Sequence, residues 1–144
     1  METQWNTIPN HPDYQASTAG QIRRIEDGKV LKLYTLPNGY LIASLKLSSK
    51  KHKVFLVHRL IAQTFLQKIE GKTEINHLDG NKTNNSVSNI EFCTHKENIQ
   101  HAMLTGLINK AEVTERYRQM GLSNKGRVLT EEHKAKISST KRAK

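Results

Sequence analysis

Residues 74–106 read "EINHLDGNKTNNSVSNIEFCTHKENIQHAMLTG", and the fold turns on how this stretch is parsed. "EINHL" has strand character, yet it carries Asn76 and His77 where a buried strand calls for aliphatics. "DGNKTNNSVS" is a polar loop in which Asn81, Asn84 and Asn85 are expected as turn formers. "NIEFC" is a second strand with Ile90 and Phe92 on one face. "THKENIQHAMLTG" is a helix with strong punctuation: Thr94 and Glu97 have capping-box spacing, and Gly106 supplies a C-terminal stop. Strand, loop, strand and helix make a ββα unit. The hairpin brings the strand end bearing Asn76 and His77 toward the first turns of the helix, where Asn98 and His101 share a face.

The two amide oxygens of Asn76 and Asn98 with the imidazole of His77 suit metal-assisted phosphodiester hydrolysis. A hard divalent ion takes oxygen ligands and keeps positions for water and substrate phosphate. An imidazole beside it takes a proton from the attacking water, and the ion stabilises the developing charge. A lone strand histidine is more often a hydrogen-bonded core residue, and Asn98 is a poor helix former. The joint spacing of Asn76, Asn89 and Asn98 inside a ββα pattern favours a site over those readings.

Upstream, residues 5–57 read as a small antiparallel β region. "QIRRI" and "KVLKLY" flank the turn signal "EDGK", "KLYTL" and "YLIASLKL" flank "PNG", and "KHKVFLV" is a further strand. Trp5 and Tyr14 are expected to pack this module. "HRLIAQTFL" (58–66) changes to helical spacing, with Leu60, Ile61, Phe65 and Leu66 as its apolar stripe. His58 stands at its start, either as a cap or, with Arg59, as a phosphate contact. Downstream, "NKAEVTERYRQMG" reads as a short helix stopped by Gly121, "LSNKGRV" as a basic loop, and "LTEEHKAKISSTKRAK" as a final helix capped by Thr130.

The chain of 144 residues carries 23 Lys+Arg against 13 Asp+Glu, a net charge of +10. Ten of the basic residues and four of the acidic ones fall in residues 107–144, so the excess is concentrated in the last quarter. This balance points to a polyanion, nucleic acid ahead of an anionic membrane surface. No apolar run approaches a spanning length, and "METQWNTIPN" lacks the features of a secretory leader. The single Cys93 excludes an intramolecular disulfide and a CxxC zinc knuckle. Lys125, Arg127, Lys134, Lys136, Lys141, Arg142 and Lys144 are placed to neutralise phosphates, with salt-sensitive binding. An unstructured basic tail is the alternative reading of that segment.

"INHLDGNKTNNSVSNIEFCTHKENIQHA" resembles the HNH motif of phage and intron-encoded homing endonucleases, the ββα-metal nucleases. "VHRLIAQTF" extends the resemblance upstream. "WNTIPNHPDYQASTAGQIRRI" is similar to the small β module that often precedes such nucleases, and "GLSNKGRVLTEEHKAKISSTKR" to the DNA-binding module often found after them. The resemblance implies His77 as general base and Asn89 as the residue that ties the inter-strand loop and so orients the histidine. It implies Asn98 and Asn76 as metal ligands; an aspartate or histidine is usual at the position of Asn76, so metal binding without DNA should be weak. Asp79, His101 and His58 are auxiliary candidates, and Arg59 and Lys82 join the basic residues above as DNA contacts.

The expectation is an α+β chain of three parts: an N-terminal β module (1–54), an HNH core (55–106) and a basic helical extension (107–144). It would be a Mg²⁺- or Mn²⁺-dependent endonuclease on double-stranded DNA, leaving 5′-phosphate and 3′-hydroxyl ends, a monomer or homodimer, intracellular and phage-encoded. The competing expectations are a non-catalytic DNA-binding protein that keeps the scaffold, and a general basic nucleic-acid binder.

Overall fold

The computed structural model of the chain describes residues 2–48 and 51–125. The chain divides into two compact units, Met1–Leu107 and Ile108–Lys144. In the first, β1 (Trp5–Ile8), β2 (His11–Ser17) and β3 (Ile22–Arg24) form an antiparallel sheet in that order. A second antiparallel sheet has β4 (Tyr34–Thr35), β5 (Leu41–Ser48) and β6 (Lys51–Leu56). Trp5 lies under the guanidinium of Arg23, 4.3 Å from the ring centroid. Tyr14 is buried, and its hydroxyl accepts the Lys46 backbone N–H at 2.9 Å, tying the two sheets together.

The "PNG" hairpin forms as its sequence predicts, with Gly39 at φ +87° and Tyr34 paired to Ile42. The "EDGK" hairpin is reduced to one bridge, Arg23 to Val30. "KVLKLY" is not a strand along its length, because Leu31 and Leu33 fold onto the core instead of extending the pairing.

Helix α1 (Val57–Phe65) begins at Leu56 with no side-chain cap. Packing holds it: Val57, His58, Leu60, Ile61 and Ala62 are all buried. The expected stripe is present and wider than predicted. Ile8, Ala16 and Ile22 of the first sheet, Ala43 and Leu45 of the second, Leu60 and Ile61 of α1 and Ile90 beyond them form one continuous core.

The predicted ββα unit follows. β7 (Glu74–His77) pairs antiparallel with β8 (Ile90–Cys93), opposing Asn76 to Glu91 and His77 to Ile90. Helix α2 (His95–Leu104) carries the complete capping box between Thr94 and Glu97, and Gly106 beyond it has φ +73°. The hairpin lies between α1, which packs on both strands, and α2, which packs on β7.

In the second unit, α3 (Lys110–Asn124) is N-capped by Asn109, whose side-chain oxygen accepts the Glu112 N–H at 2.7 Å. The helix runs through Gly121, so the expected stop there is corrected. A glycine costs a helix interior only about 1 kcal/mol, and its flanking residues supply the remaining bonds. The proposed final helix lies outside the described residues. No helix among the described residues is long and apolar enough to cross a membrane.

Candidate active site

His77 is the last residue of β7 and only 5% exposed. Its Nε2 is 3.0 Å from Oδ1 of Asn85. Its ring meets His58 edge-on at 5.4 Å and Tyr40 at 6.1 Å between centroids. Asn85, expected as a turn former, is 3% exposed and faces the imidazole. Its amide nitrogen donates to the Thr83 carbonyl at 3.2 Å.

His58 neither caps α1 nor reaches solvent. It is 5% exposed, and its Nδ1 has no hydrogen-bond partner among the described residues. Burial, helped by His77 and Arg59, pushes its pKa down to about 4. His58 packs beside the proposed base, on the wall of a cleft that Arg59 also lines.

Asn76 is 6% exposed, and its Nδ2 donates across the hairpin to Oε1 of Glu91 at 3.1 Å. Asn98 Nδ2 donates to Oε2 of Glu74 at 2.7 Å. The other Glu74 oxygen lies 2.8 Å from Nδ1 of His95, whose side chain is exposed. The Asn98 bond, reinforced by His95, holds the Glu74 carboxyl below its ordinary range against the opposing effect of burial. Each amide thus presents its nitrogen to a glutamate, and no hydrogen bond among the described residues takes either amide oxygen. Neither glutamate was singled out in the sequence, because only the strand register and the helix placement bring them to the amides.

The loop between the strands is tied by Asn89. Its Oδ1 accepts the Asp79 N–H at 3.1 Å, and its Nδ2 donates to Asp79 Oδ1 and to the Asn84 carbonyl, both at 2.8 Å. Asn84 Nδ2 reaches Asp79 Oδ2 at 2.7 Å, and the Asn81 N–H reaches Asp79 Oδ1 at 2.8 Å. These bonds, led by those from Asn84 and Asn89, hold the Asp79 carboxyl below its usual range. Both Asp79 oxygens accept hydrogen bonds within the loop, which Asp79 helps to organise. His101 Nε2 lies 3.1 Å from the Leu78 carbonyl. A carbonyl only accepts, so Nε2 carries the proton and the ring closes the strand end onto α2.

No hydrogen bond joins Asn76, His77 and Asn98 to one another: the two amides are anchored to glutamates and the imidazole to Asn85. Among the described residues, no group of three or more His, Cys, Asp or Glu could hold a metal. Of the expected DNA contacts, Arg59 is exposed and lines a cleft of about 470 Å³ with Tyr40, His58, Glu74 and Asn98. Lys82 donates to the Asn38 carbonyl at 3.0 Å and sits over Tyr40, 4.8 Å from the ring centroid. Lys125 is exposed and follows α3. Arg127, Lys134, Lys136, Lys141, Arg142 and Lys144 lie outside the described residues.

A two-stranded hairpin packed against a helix, with a buried imidazole and an anchored amide at the end of β7 and a second anchored amide on α2, is the ββα arrangement of a nuclease scaffold. The chain belongs to the HNH endonuclease family. The HNH endonuclease profile matches residues 55–100, and the NUMOD4 motif matches residues 4–46. An HNH endonuclease of Acanthamoeba polyphaga mimivirus, L245, is 40% identical over 107 residues, 74% of this chain and 32% of that protein. DNA endonuclease I-HmuI of Bacillus phage SP01 is 36% identical over 107 residues, 74% of this chain and 61% of the phage protein. The chain therefore spans between about a third and three fifths of these two relatives. A solved structure, described as DNA binding and cleavage by the HNH homing endonuclease I-HmuI, superposes with a TM-score of 0.65 at 33% identity. It covers 82% of this chain and 67% of the other. The α+β fold, small antiparallel sheets with three helices among the described residues, matches that structure. HNH endonucleases are DNA-cleaving hydrolases, and in general they use a divalent metal ion.

Proposed function

We propose that this chain is an HNH endonuclease of the homing type that hydrolyses phosphodiester bonds in double-stranded DNA. The observation that carries the reading is the polar cluster of β7 and α2. A buried imidazole is held by one amide, while two further amides keep their oxygens free and their nitrogens bonded to carboxylates. Oxygen donors backed by nearby negative charge fit a hard divalent ion. Asn76 and Asn98 would hold it, and Mg²⁺ or Mn²⁺ bound there would supply electrostatic stabilisation of the phosphate and the leaving oxygen. His77 accepts a proton from water as the water oxygen bonds to phosphorus. The bond from phosphorus to the 3′-oxygen breaks, leaving a 5′-phosphate and, after protonation from solvent, a 3′-hydroxyl. Arg59 and Lys82 bear on the DNA backbone beside the cleft.

In this reading residues 1–54 support and orient the nuclease core at 55–106, and residues 107–144 add phosphate contacts through Lys125, Arg127, Lys134, Lys136, Lys141 and Arg142. One centre per chain cuts one strand, so a monomer nicks and a double-strand break needs a homodimer or two visits. The relatives from a phage and a virus support action inside an infected cell.

An amide at position 76, where an aspartate or histidine is usual, favours one rival: a DNA-binding protein that keeps the scaffold without cutting. Plasmid relaxation with Mg²⁺ or Mn²⁺ separates the two. The cutting reading expects wild type to nick, and His77→Ala to lose roughly 10²- to 10⁴-fold in rate. Equal cutting by both proteins sinks His77 as the base. Binding of cognate DNA by both without cutting by either establishes the rival.

A further inference from the structure

We infer that Asn85, held in place by the N-terminal sheet, sets the tautomer of His77 and so assigns Nδ1 as the nitrogen that faces water. The inference rests on the reading of His77 as proton acceptor, and it adds a positioning residue to the site.

Three observations combine. The first is the amide's orientation. Asn85 Nδ2 donates to the Thr83 carbonyl at 3.2 Å, so Oδ1 is the atom facing His77 Nε2, 3.0 Å away. An amide oxygen carries no proton, so the shared proton resides on Nε2 and the lone pair of the neutral ring is on Nδ1. The second is enclosure. With His77 5% and Asn85 3% exposed, water does not compete for this bond. The third is the buttress behind Asn85. The Thr18 carbonyl accepts the Val87 N–H at 3.0 Å and the Ser86 hydroxyl at 3.3 Å. Gly20 has φ +84°, and a Cβ built there would stand 2.8 Å from the Asn85 carbonyl carbon and 2.9 Å from its oxygen. The turn after β2 therefore presses directly on the backbone that carries Asn85. Only a glycine accepts both that conformation and that approach.

The N-terminal region thereby acts on the chemistry without touching substrate. It holds residues 85–87, these hold the Asn85 amide, and the amide holds the imidazole. Buried hydrogen bonds of this kind fix a histidine's tautomer and ring orientation wherever the other nitrogen must do chemistry.

The test is ¹⁵N imidazole spectroscopy on the full chain labelled at histidine, with His77 assigned by its loss in His77→Ala. Wild type is expected to show a protonated Nε2 and a bare Nδ1. A protonated Nδ1 in neutral wild type overturns the assignment and needs no variant to do so. Asn85→Leu, which cannot accept the bond, is expected to populate both tautomers and to lower kcat about tenfold or more with KM nearly unchanged. Asn85→Asp, which can accept it, is expected to keep the wild-type pattern and guards against a trivial folding defect in the leucine variant. Gly20→Ala, remote from substrate, is expected to mix the tautomers and lower kcat in the same sense; wild-type signals and kcat in it overturn the buttress. If His77→Ala cuts like wild type while the tautomer is as expected, the base reading fails and the hydrogen-bond assignment stands.

Discussion

Hairpin β5–β6 pairs at six registered positions, from Ile42↔Leu56 to Ser48↔Lys51, and hairpin β7–β8 at four, from Glu74↔Cys93 to His77↔Ile90. The first follows ordinary sheet logic: Ala43 and Leu45 are fully buried, while Ser44 and Lys46, which alternate with them, are exposed. The second is shorter and buries Asn76 and His77 where the first buries aliphatics, with Asn85 and Asn89 buried in its loop. Backbone pairing and apolar burial stabilise one; a side-chain network around Asp79 and Asn89 shapes the other. Polar groups enclosed in this way specify a single geometry at some cost in stability, a trade expected of a site and not of a supporting sheet.

The largest effect should come from the supporting hairpin. Leu45→Ala removes a fully buried side chain and is expected to cost about 2–5 kcal/mol by denaturant titration. A smaller loss than that of any site variant would reverse the contrast between the two hairpins. Asn89→Ala strips three hydrogen bonds from the site loop, including the acceptor for the Asp79 N–H. It is expected to cost about 2–3 kcal/mol and to lower the nicking rate more than Leu45→Ala does, measured on folded protein.

The enclosed His58 gives the site a pH signature. Its pKa of about 4 lies below the ordinary 6.5. Between these values the unfolded chain holds a proton that the native chain does not. Stability is therefore complete above about pH 6.5 and declines as pH falls toward 4, by something on the order of 2 kcal/mol. Denaturation midpoints across pH 4–7 check this, and His58→Gln should flatten the profile. The smallest effect sharpens the comparison at the strand end. Asn76→Asp should tighten Mn²⁺ binding about tenfold by calorimetry in the absence of DNA, since ligand charge governs affinity for hard ions. The same change should lower metal-free stability, because the new carboxylate would face Glu91 without the amide's bond. Unchanged Mn²⁺ affinity would remove residue 76 from the ligand set.

What could be read from residues alone was local. Thr94 with Glu97, and Gly106, are separated by few bonds and act on one helix, so spacing was enough to place α2. The "PNG" turn and the apolar stripe of α1 were legible for the same reason. Gly121 misled because a glycine permits a stop without imposing one. "KVLKLY" misled because its alternating pattern served core contacts at Leu31 and Leu33 rather than pairing. At the site, Asn76, His77, Asn89 and Asn98 stood out by motif spacing. Asn85 did not, since five asparagines crowd residues 76–89 and nothing local distinguishes the buried ones.

The order of elements, the basic excess and the motif that marks the HNH family were determined by the sequence, because propensity, capping and charge are properties of neighbouring residues. Only the tertiary structure decided that His58 is enclosed and neutral, that Glu74 and Glu91 hold the two amides, and that Asn85 faces His77. Those assignments depend on strand register, on the seat of α1 beneath the hairpin, and on Thr18 and Gly20 arriving from the far end of the first unit to press on the loop. Long-range approach is set by how the core closes, and no local pattern encodes it.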